Sequence, residues 1–178
     1  MNRIFKIISL LLFSFSLVAQ NESNSPYSRF GLGDIQNFST ANQSAMGGTG
    51  IAIYDPLLIN LNNPASYSSV FSQRFTMQTG AIHTTKLLQT PTQDQMVNST
   101  KFNYILFSFP FSNFWGSSFG LLPYSEKSYS FSDKSEDPQA ELLFKGNGGI
   151  SRIYFGNAIS LNKNISVGAN LNYLFGNL

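Results

Sequence analysis

The residue types that most often perform catalysis are sparse in this sequence. His83 is the only histidine, and a hydrolytic triad would have to place it beside a serine and a carboxylate. Serines are abundant, and no spacing selects one of them as a nucleophile. We therefore interpret His83 as a polar residue at the end of a strand, and we expect the protein not to be an enzyme.

A glycine-rich motif suggests phosphate binding but is incomplete. Gly47-Gly48-Thr49-Gly50 lacks the Lys-Ser/Thr pair that completes a phosphate-binding loop, and no helix signal follows it. Glycine also allows two backbone segments to approach each other closely. We therefore predict that Gly47, Gly48 and Gly50 pack an N-terminal hatch segment against a barrel wall.

The remaining polar candidates lie in loops and turns. Asp133, Glu136 and Asp137 lack the spacing of a calcium site and are typical of a solvated loop. We predict no metal ion and no cofactor. Asn63-Pro64-Ala65 favours a turn, because Asn-Pro sequences initiate turns. The Asn63 side chain is suited to capping backbone groups that lack ladder partners.

The clearest elements are two strands within residues 150–176. In the second strand the apolar residues share one parity, and small or polar residues occupy the other, until Leu174 breaks the pattern. Because side chains alternate between the faces of a strand, one face of this strand is apolar. Asn162-Lys163-Asn164 tolerates the backbone angles of a short hairpin loop. The apolar positions of the second strand are Ile165, Val167, Ala169, Leu171, Tyr173 and Phe175.

Further strand patterns follow one another at hairpin spacing. They cover residues 75–85, 102–111, 115–124, 129–131 and 140–145, which gives about six strands with the hairpin. Long polar loops alternate with short turns, as is typical of transmembrane barrels. The sequence predicts an all-β, antiparallel fold. A transmembrane barrel and a soluble β-sandwich are both compatible with the periodicity alone.

Composition favours the membrane alternative. Only 11% of the residues are charged and 15% are aromatic, whereas soluble domains carry roughly a quarter charged residues. The absence of cysteine from these 178 residues excludes disulfides, thiolate catalysis and lipidation at a cysteine. After the leader no segment is apolar and long enough for a transmembrane helix, so a membrane form must be a barrel.

The first residues predict export. Residues 1–19 have the basic start and apolar run of a signal peptide. Its removal takes Arg3 and Lys6 from the 11 basic residues, and the nine that remain balance nine acidic residues. No basic field is left to bind nucleic acid. We expect the lipid of the outer membrane as a partner, and protein partners stay unknown at this point.

Four segments carry a resemblance to a known family. They are Ser25-Pro26-Tyr27-Ser28-Arg29-Phe30-Gly31-Leu32-Gly33-Asp34 with residues 45–52, Asn63-Pro64-Ala65-Ser66, Gly120-Leu121-Leu122-Pro123-Tyr124-Ser125, and residues 148–176. In this order they resemble FadL-type outer-membrane transport proteins. The resemblance implies an N-terminal hatch over residues 20–70, which includes Asn63, Pro64 and Ala65, and the first part of a fourteen-stranded barrel over residues 71–178.

The resemblance also implies a function. FadL-type proteins pass hydrophobic molecules such as long-chain fatty acids through the outer membrane of Gram-negative bacteria, so a hydrophobic ligand is expected. The alternative is a structural or secretion-system scaffold barrel without cargo. A small barrel enzyme or adhesin that is complete as given is a further possibility. Six strands cannot close a fourteen-stranded barrel, so this resemblance makes the sequence an N-terminal fragment.

Overall fold

The computed structural model describes residues 25–69, 74–89, 94–134 and 141–178, except for the side chains of residues 133, 134 and 141. The predicted signal peptide and the predicted loop residues Glu136 and Asp137 lie outside this part of the chain. Within the described residues, no helix has the length and apolarity needed to cross a membrane.

The fold is a single antiparallel sheet with three short helices before its long strands. The long strands lie in the order β2-β3-β4-β5-β6, and a two-residue strand, β1, pairs with β4. The prediction of an all-β, antiparallel fold is therefore confirmed. The strands are β1 (Asp34–Ile35), β2 (Thr76–Gln89), β3 (Asp94–Ser112), β4 (Trp115–Lys134), β5 (Glu141–Ser160) and β6 (Ser166–Asn177), and the helices are the 3-10 helices η1 (Pro26–Arg29) and η2 (Pro64–Ser69) and the α-helix α1 (Ala41–Ala45).

The predicted C-terminal hairpin is present as β5 and β6. Its register places Ile159 opposite Val167 and Ile153 opposite Tyr173, so the apolar residues of the two strands share one face. The connecting turn is held by Asn162, whose Oδ1 accepts hydrogen bonds from the backbone N–H groups of residues 164 and 165 at 2.9 and 2.8 Å. An asparagine side chain that mimics a backbone turn is the expected use of this residue.

The predicted strands left gaps at residues 125–128 and 146–149. These gaps are absent, because β4 and β5 are each continuous over 20 residues. Pro123 lies next to a register shift, between Pro123 and Ser125, rather than at a strand end. A bulge tolerates the missing N–H of proline. Gly146, which follows the predicted strand over residues 140–145, lies within β5 and leaves room for the ring of Tyr129. The glycines of β5 therefore accommodate side chains without ending the strand.

The two faces of the sheet differ. Residues 25–69, called the N-terminal layer below, pack on one face, and Tyr67, Leu106, Leu122 and Tyr154 form the centre of the buried core there. We call this the covered face. The opposite, outer face exposes large apolar side chains at alternate positions of the strands. They include Phe119, Leu121, Ile153, Phe155, Ile159, Val167, Leu171, Tyr173 and Phe175.

Candidate functional site: the N-terminal layer on the covered face

Local hydrogen bonds give the N-terminal layer its shape. Helix α1 begins with a capping box, in which the Thr40 side chain accepts from the backbone of Gln43 and the Gln43 side chain accepts from the backbone of Thr40. This arrangement satisfies two backbone donors at the start of a helix. Thr40 and Gln43 are both buried. The five-residue helix is thus fixed by side chains rather than by its length.

A buried pair of amide side chains joins α1 to the following loop. Gln43 Nε2 donates to Asn60 Oδ1 at 2.9 Å, and Asn60 Nδ2 donates to the carbonyl oxygens of Gly50 and Ile53 at 2.6 and 3.0 Å. Asn60 is 2% exposed. A buried amide that satisfies loop carbonyls removes the cost of leaving them unpaired. Asn60 therefore sets the conformation of residues 50–60.

The Asn63-Pro64-Ala65 motif forms the start of η2. Asn63 Nδ2 donates to the carbonyl oxygen of Ile51 at 3.0 Å, and the Asn63 carbonyl accepts from Ser66 N and Oγ at 3.0 and 2.7 Å. The side chain thus bonds a carbonyl of the N-terminal layer itself. Pro64 and Ala65 lie against β6 at Gly168, where an added Cβ would be 2.5 Å from the Pro64 carbonyl carbon. The motif is therefore a turn that docks η2 on the sheet.

Tyr67 is the largest side chain buried in this contact, with 0% exposure. Its hydroxyl donates to Asn170 Oδ1 at 3.1 Å, and Asn170 Nδ2 donates to the carbonyl oxygen of Leu61 at 3.4 Å. Burial raises the pKa of Tyr67 from 10.0 to about 12, because the phenolate would lose its hydration. Tyr67 and Asn170 together connect the N-terminal layer to β6.

Glycines of the strands make room for η2. A Cβ at Gly116 would overlap the carbonyl oxygen of Tyr67, and one at Gly156 would lie 2.5 Å from the ring of Tyr67. Near the C-terminal end of η2, the Ser68 hydroxyl accepts a hydrogen bond from Ser160 Oγ at 2.8 Å. Because the backbone of η2 approaches three strands this closely, larger residues at these positions would push it off the sheet.

The glycines predicted to pack against a barrel wall have other roles. Gly47 and Gly48 have φ angles of +71° and +82°, and a Cβ added to either would meet nothing within 4 Å. They reverse the chain after α1, which is a usual function of glycine at a helix C-terminus. Gly50 is closely packed, but its neighbours are the side chains of Gln43 and Asn62. Within the described residues these glycines therefore shape the N-terminal layer, and their packing against a barrel wall stays a prediction.

The residue that the sequence offered for catalysis, His83, pairs with a threonine of the neighbouring strand. His83 is exposed on β2, and its Nδ1 lies 2.7 Å from the hydroxyl of Thr100 on β3. No group of three or more potential metal ligands occurs in the described part of the chain. The described residues instead form an N-terminal layer that is hydrogen-bonded to one face of an antiparallel sheet.

The fold and this contact define an antiparallel β-sheet protein with an apolar outer face and a tightly docked N-terminal layer. The BamG family model matches residues 1–178 of the sequence. The chain therefore belongs to the BamG family. No curated protein and no solved structure matches it.

The family membership corrects the predicted identity. The matching family is BamG, so the resemblance to FadL-type transporters is wrong, and with it the expected uptake of long-chain fatty acids or other hydrophobic compounds. The fourteen-strand count rested on that resemblance alone. The predicted outer-membrane location stands in its general form, since the BamG family is associated with the outer membrane of Gram-negative bacteria. The family also implies a protein partner, the BAM complex, where the sequence left protein partners unknown.

The sequence did not predict the contacts of the N-terminal layer, because they leave only weak patterns in the local sequence. Thr40 and Gln43 show the three-residue spacing of a capping box, which marks a helix start. Tyr67 and Asn170 are 103 positions apart, and no periodicity relates them. Small or polar residues at alternate positions of β6, such as Gly168 and Asn170, did indicate a face that does not contact lipid. They could not indicate which segment covers it.

Proposed function

We propose that the protein is a non-enzymatic scaffold subunit in the assembly of outer-membrane proteins, working with the BAM complex. The observation that carries the proposal is the match of the BamG family over residues 1–178. The structure is compatible with it, because the described residues form an antiparallel sheet with a docked N-terminal layer on one face. This corresponds to the scaffold alternative of the sequence analysis rather than to small-molecule transport.

The outer face of the sheet supports insertion into the membrane. On β6 the outer-facing residues Val167 to Phe175 are apolar, and several are more than half exposed. The nine residues 167–175 fall within the roughly 9–11 residues that a tilted strand needs to cross the hydrocarbon core. In water this surface would promote aggregation. We therefore propose that it contacts lipid, as part of a closed barrel.

The strands also extend beyond this apolar band. Near the far ends of β2 and β3, outer positions carry polar pairs such as Thr85 with Asn98, which are joined by a hydrogen bond of 2.8 Å. His83 and Thr100 form a second such pair. Polar side chains are expected where a strand leaves the hydrocarbon region. These ends are therefore suited to contacting other proteins outside the membrane.

Affinity purification of the full-length protein tests the scaffold proposal. The tagged protein, extracted from outer membranes in mild detergent, should bring down the central barrel of the BAM complex in stoichiometric amount. A tagged outer-membrane porin expressed to the same level provides the control. Recovery of the protein alone, or of the same proteins with both baits, would contradict the proposal.

A second measurement tests the barrel. A closed barrel resists unfolding in detergent at room temperature, so the full-length protein should migrate differently on a gel before and after boiling. Identical migration would contradict closure and would leave the assembly proposal unaffected.

A further inference from the structure

Strands β3 and β4 pair over only part of their length, and we call the region where they no longer pair the seam. The ladder joining them runs from the pair Ser112–Trp115 to the pair Ile105–Leu121 and stops there. Both strands continue, β3 back to Asp94 and β4 on to Lys134. Beyond Leu121 the edge of β4 that faced β3 would lack a partner strand, and such edges readily accept an additional strand.

Residues 25–36 of the N-terminal layer occupy this edge. Gln36 N donates to the carbonyl oxygen of Tyr124 at 2.9 Å, and β1 pairs antiparallel with residues 125 and 126. Ser25 N donates to the carbonyl oxygen of Ser128 at 2.8 Å. Ser28 substitutes a side chain for the backbone, since its Oγ accepts from Ser128 N at 3.0 Å. The edge therefore holds a segment with only two residues in regular strand pairing, since residues 26–29 form the 3-10 helix η1.

Across the seam, ion pairs between side chains take the place of the backbone ladder. Lys101 of β3 forms an ion pair with Glu126 of β4, and Lys86 of β2 contacts Asp34 of β1 at 3.4 Å. All four side chains are a quarter or more exposed. Ion pairs of this kind contribute little to stability, because water and salt screen them. The seam is thus weaker than the continuous ladders on either side.

A cavity of about 320 Å³ adjoins residues 25–36 at the seam. Its lining is amphipathic and includes Ile82, Lys101, Phe102, Ser125 and Ile150. The hydroxyl of Ser125 in this lining is buried and has no hydrogen-bond partner among the described residues. Buried hydroxyls without partners are rare in folded proteins and are satisfied when a ligand or another chain supplies a polar group. The seam therefore offers polar groups as well as space.

We infer that residues 25–36 are a displaceable strand and that the β4 edge beneath them binds an extended segment of another polypeptide by antiparallel strand addition. The segment already seated there shows that the edge accepts a strand, and a new strand would replace its hydrogen bonds one for one. Recognition through backbone groups is independent of sequence. The inference rests on the proposed assembly function, in which the bound segment is a strand of an outer-membrane protein before it has folded.

A disulfide lock tests the inference in the full-length protein. Ile35 and Ser125 lie opposite each other on β1 and β4, and the 178 residues contain no cysteine that would interfere. Oxidised I35C/S125C keeps residues 25–36 in place. The control pair T85C/N98C crosslinks opposite residues of β2 and β3, where the ladder is continuous.

The readout is a photocrosslinker at Ile82, which lines the cavity and is 44% exposed. The probe is a radiolabelled, urea-denatured outer-membrane barrel polypeptide. Crosslinking should fall about tenfold when I35C/S125C is oxidised and return on reduction, because the lock removes the binding-competent state. Oxidation of T85C/N98C should leave crosslinking unchanged. A crosslinker at Leu161, in the turn after β5, reports non-specific binding.

Three results would overturn the inference. They are equal crosslinking in the oxidised and reduced locked protein, equal crosslinking at Ile82 and Leu161, and crosslinking at Ile82 to lipid only. The proposed function fails independently of these results if depletion of the protein leaves outer-membrane protein levels normal. If depletion lowers those levels and the oxidised lock still supports them fully, the assembly function stands and the strand-addition site does not.

Discussion

Substitution of Tyr67 tests the docking of the N-terminal layer most severely. The side chain has no exposed surface, and truncation of a buried aromatic residue to alanine costs about 3–5 kcal/mol. Tyr67→Phe keeps the ring and removes only the hydrogen bond to Asn170, for which about 1 kcal/mol is expected. The two variants therefore separate packing from hydrogen bonding at one position.

The matched control is Tyr27→Ala. Tyr27 is also a tyrosine in a short 3-10 helix, η1, but it is 79% exposed. Substitutions at such exposed sites usually change stability by less than about 0.5 kcal/mol. The comparison thus keeps the residue type and the helix type constant while burial changes.

Limited proteolysis of the full-length protein in detergent measures the effect. When opening is fast relative to cleavage, the rate of cutting follows the population of the open N-terminal layer. Since about 1.4 kcal/mol is a factor of ten, Tyr67→Ala should raise the cleavage rate by about a hundredfold or more and Tyr67→Phe by about fivefold. Equal cleavage of Tyr67→Ala and Tyr27→Ala would refute the reasoning.

Three other predictions follow from the same layer. Asn60→Ala removes the donor to the Gly50 carbonyl and should cost about 1–3 kcal/mol in unfolding experiments, whereas a loss near zero would show that water replaces the amide. Thr40→Ala removes the cap of α1 and should cost about 1 kcal/mol, with Thr40→Ser retaining most of it; equal losses for both would contradict the capping role. The raised pKa of Tyr67, about 12 when folded against 10.0, means that the folded state binds its proton more tightly. Stability should therefore be complete below pH 10 and fall as the pH rises towards 12, by about 3 kcal/mol; a titration in which Tyr67→Phe loses as much as the unsubstituted protein would contradict this assignment.

The sequence predicted the strands of the sheet better than the contacts of the candidate site. Alternation is a local property, so Val167, Leu171 and Phe175 could be assigned to one face of β6 without knowledge of the fold. The strand patterns stop at residue 145 and resume at residue 150, where a glycine can either end a strand or make room for a large side chain within it. At Gly146 the neighbouring ring of Tyr129 decides between these roles, and that ring is 17 positions away in the sequence.

The contact between the layer and the sheet depends on pairs that are distant in sequence. Tyr67 meets Asn170 and Gly116 only because η2 lies across several strands. The Asn63-Pro64-Ala65 turn was predictable from its residue types, but its docking partner at Gly168 was not. The short motifs that resemble FadL-type proteins did not identify the BamG family.

Depletion of the protein from growing cells tests the central claim most directly. The measurement is the amount of folded, heat-modifiable porins in the outer membrane, compared with the uptake of a labelled long-chain fatty acid. If the protein serves outer-membrane protein assembly, folded porins should fall and their unfolded precursors should accumulate before uptake changes. Normal porin levels together with a specific loss of uptake would contradict the account.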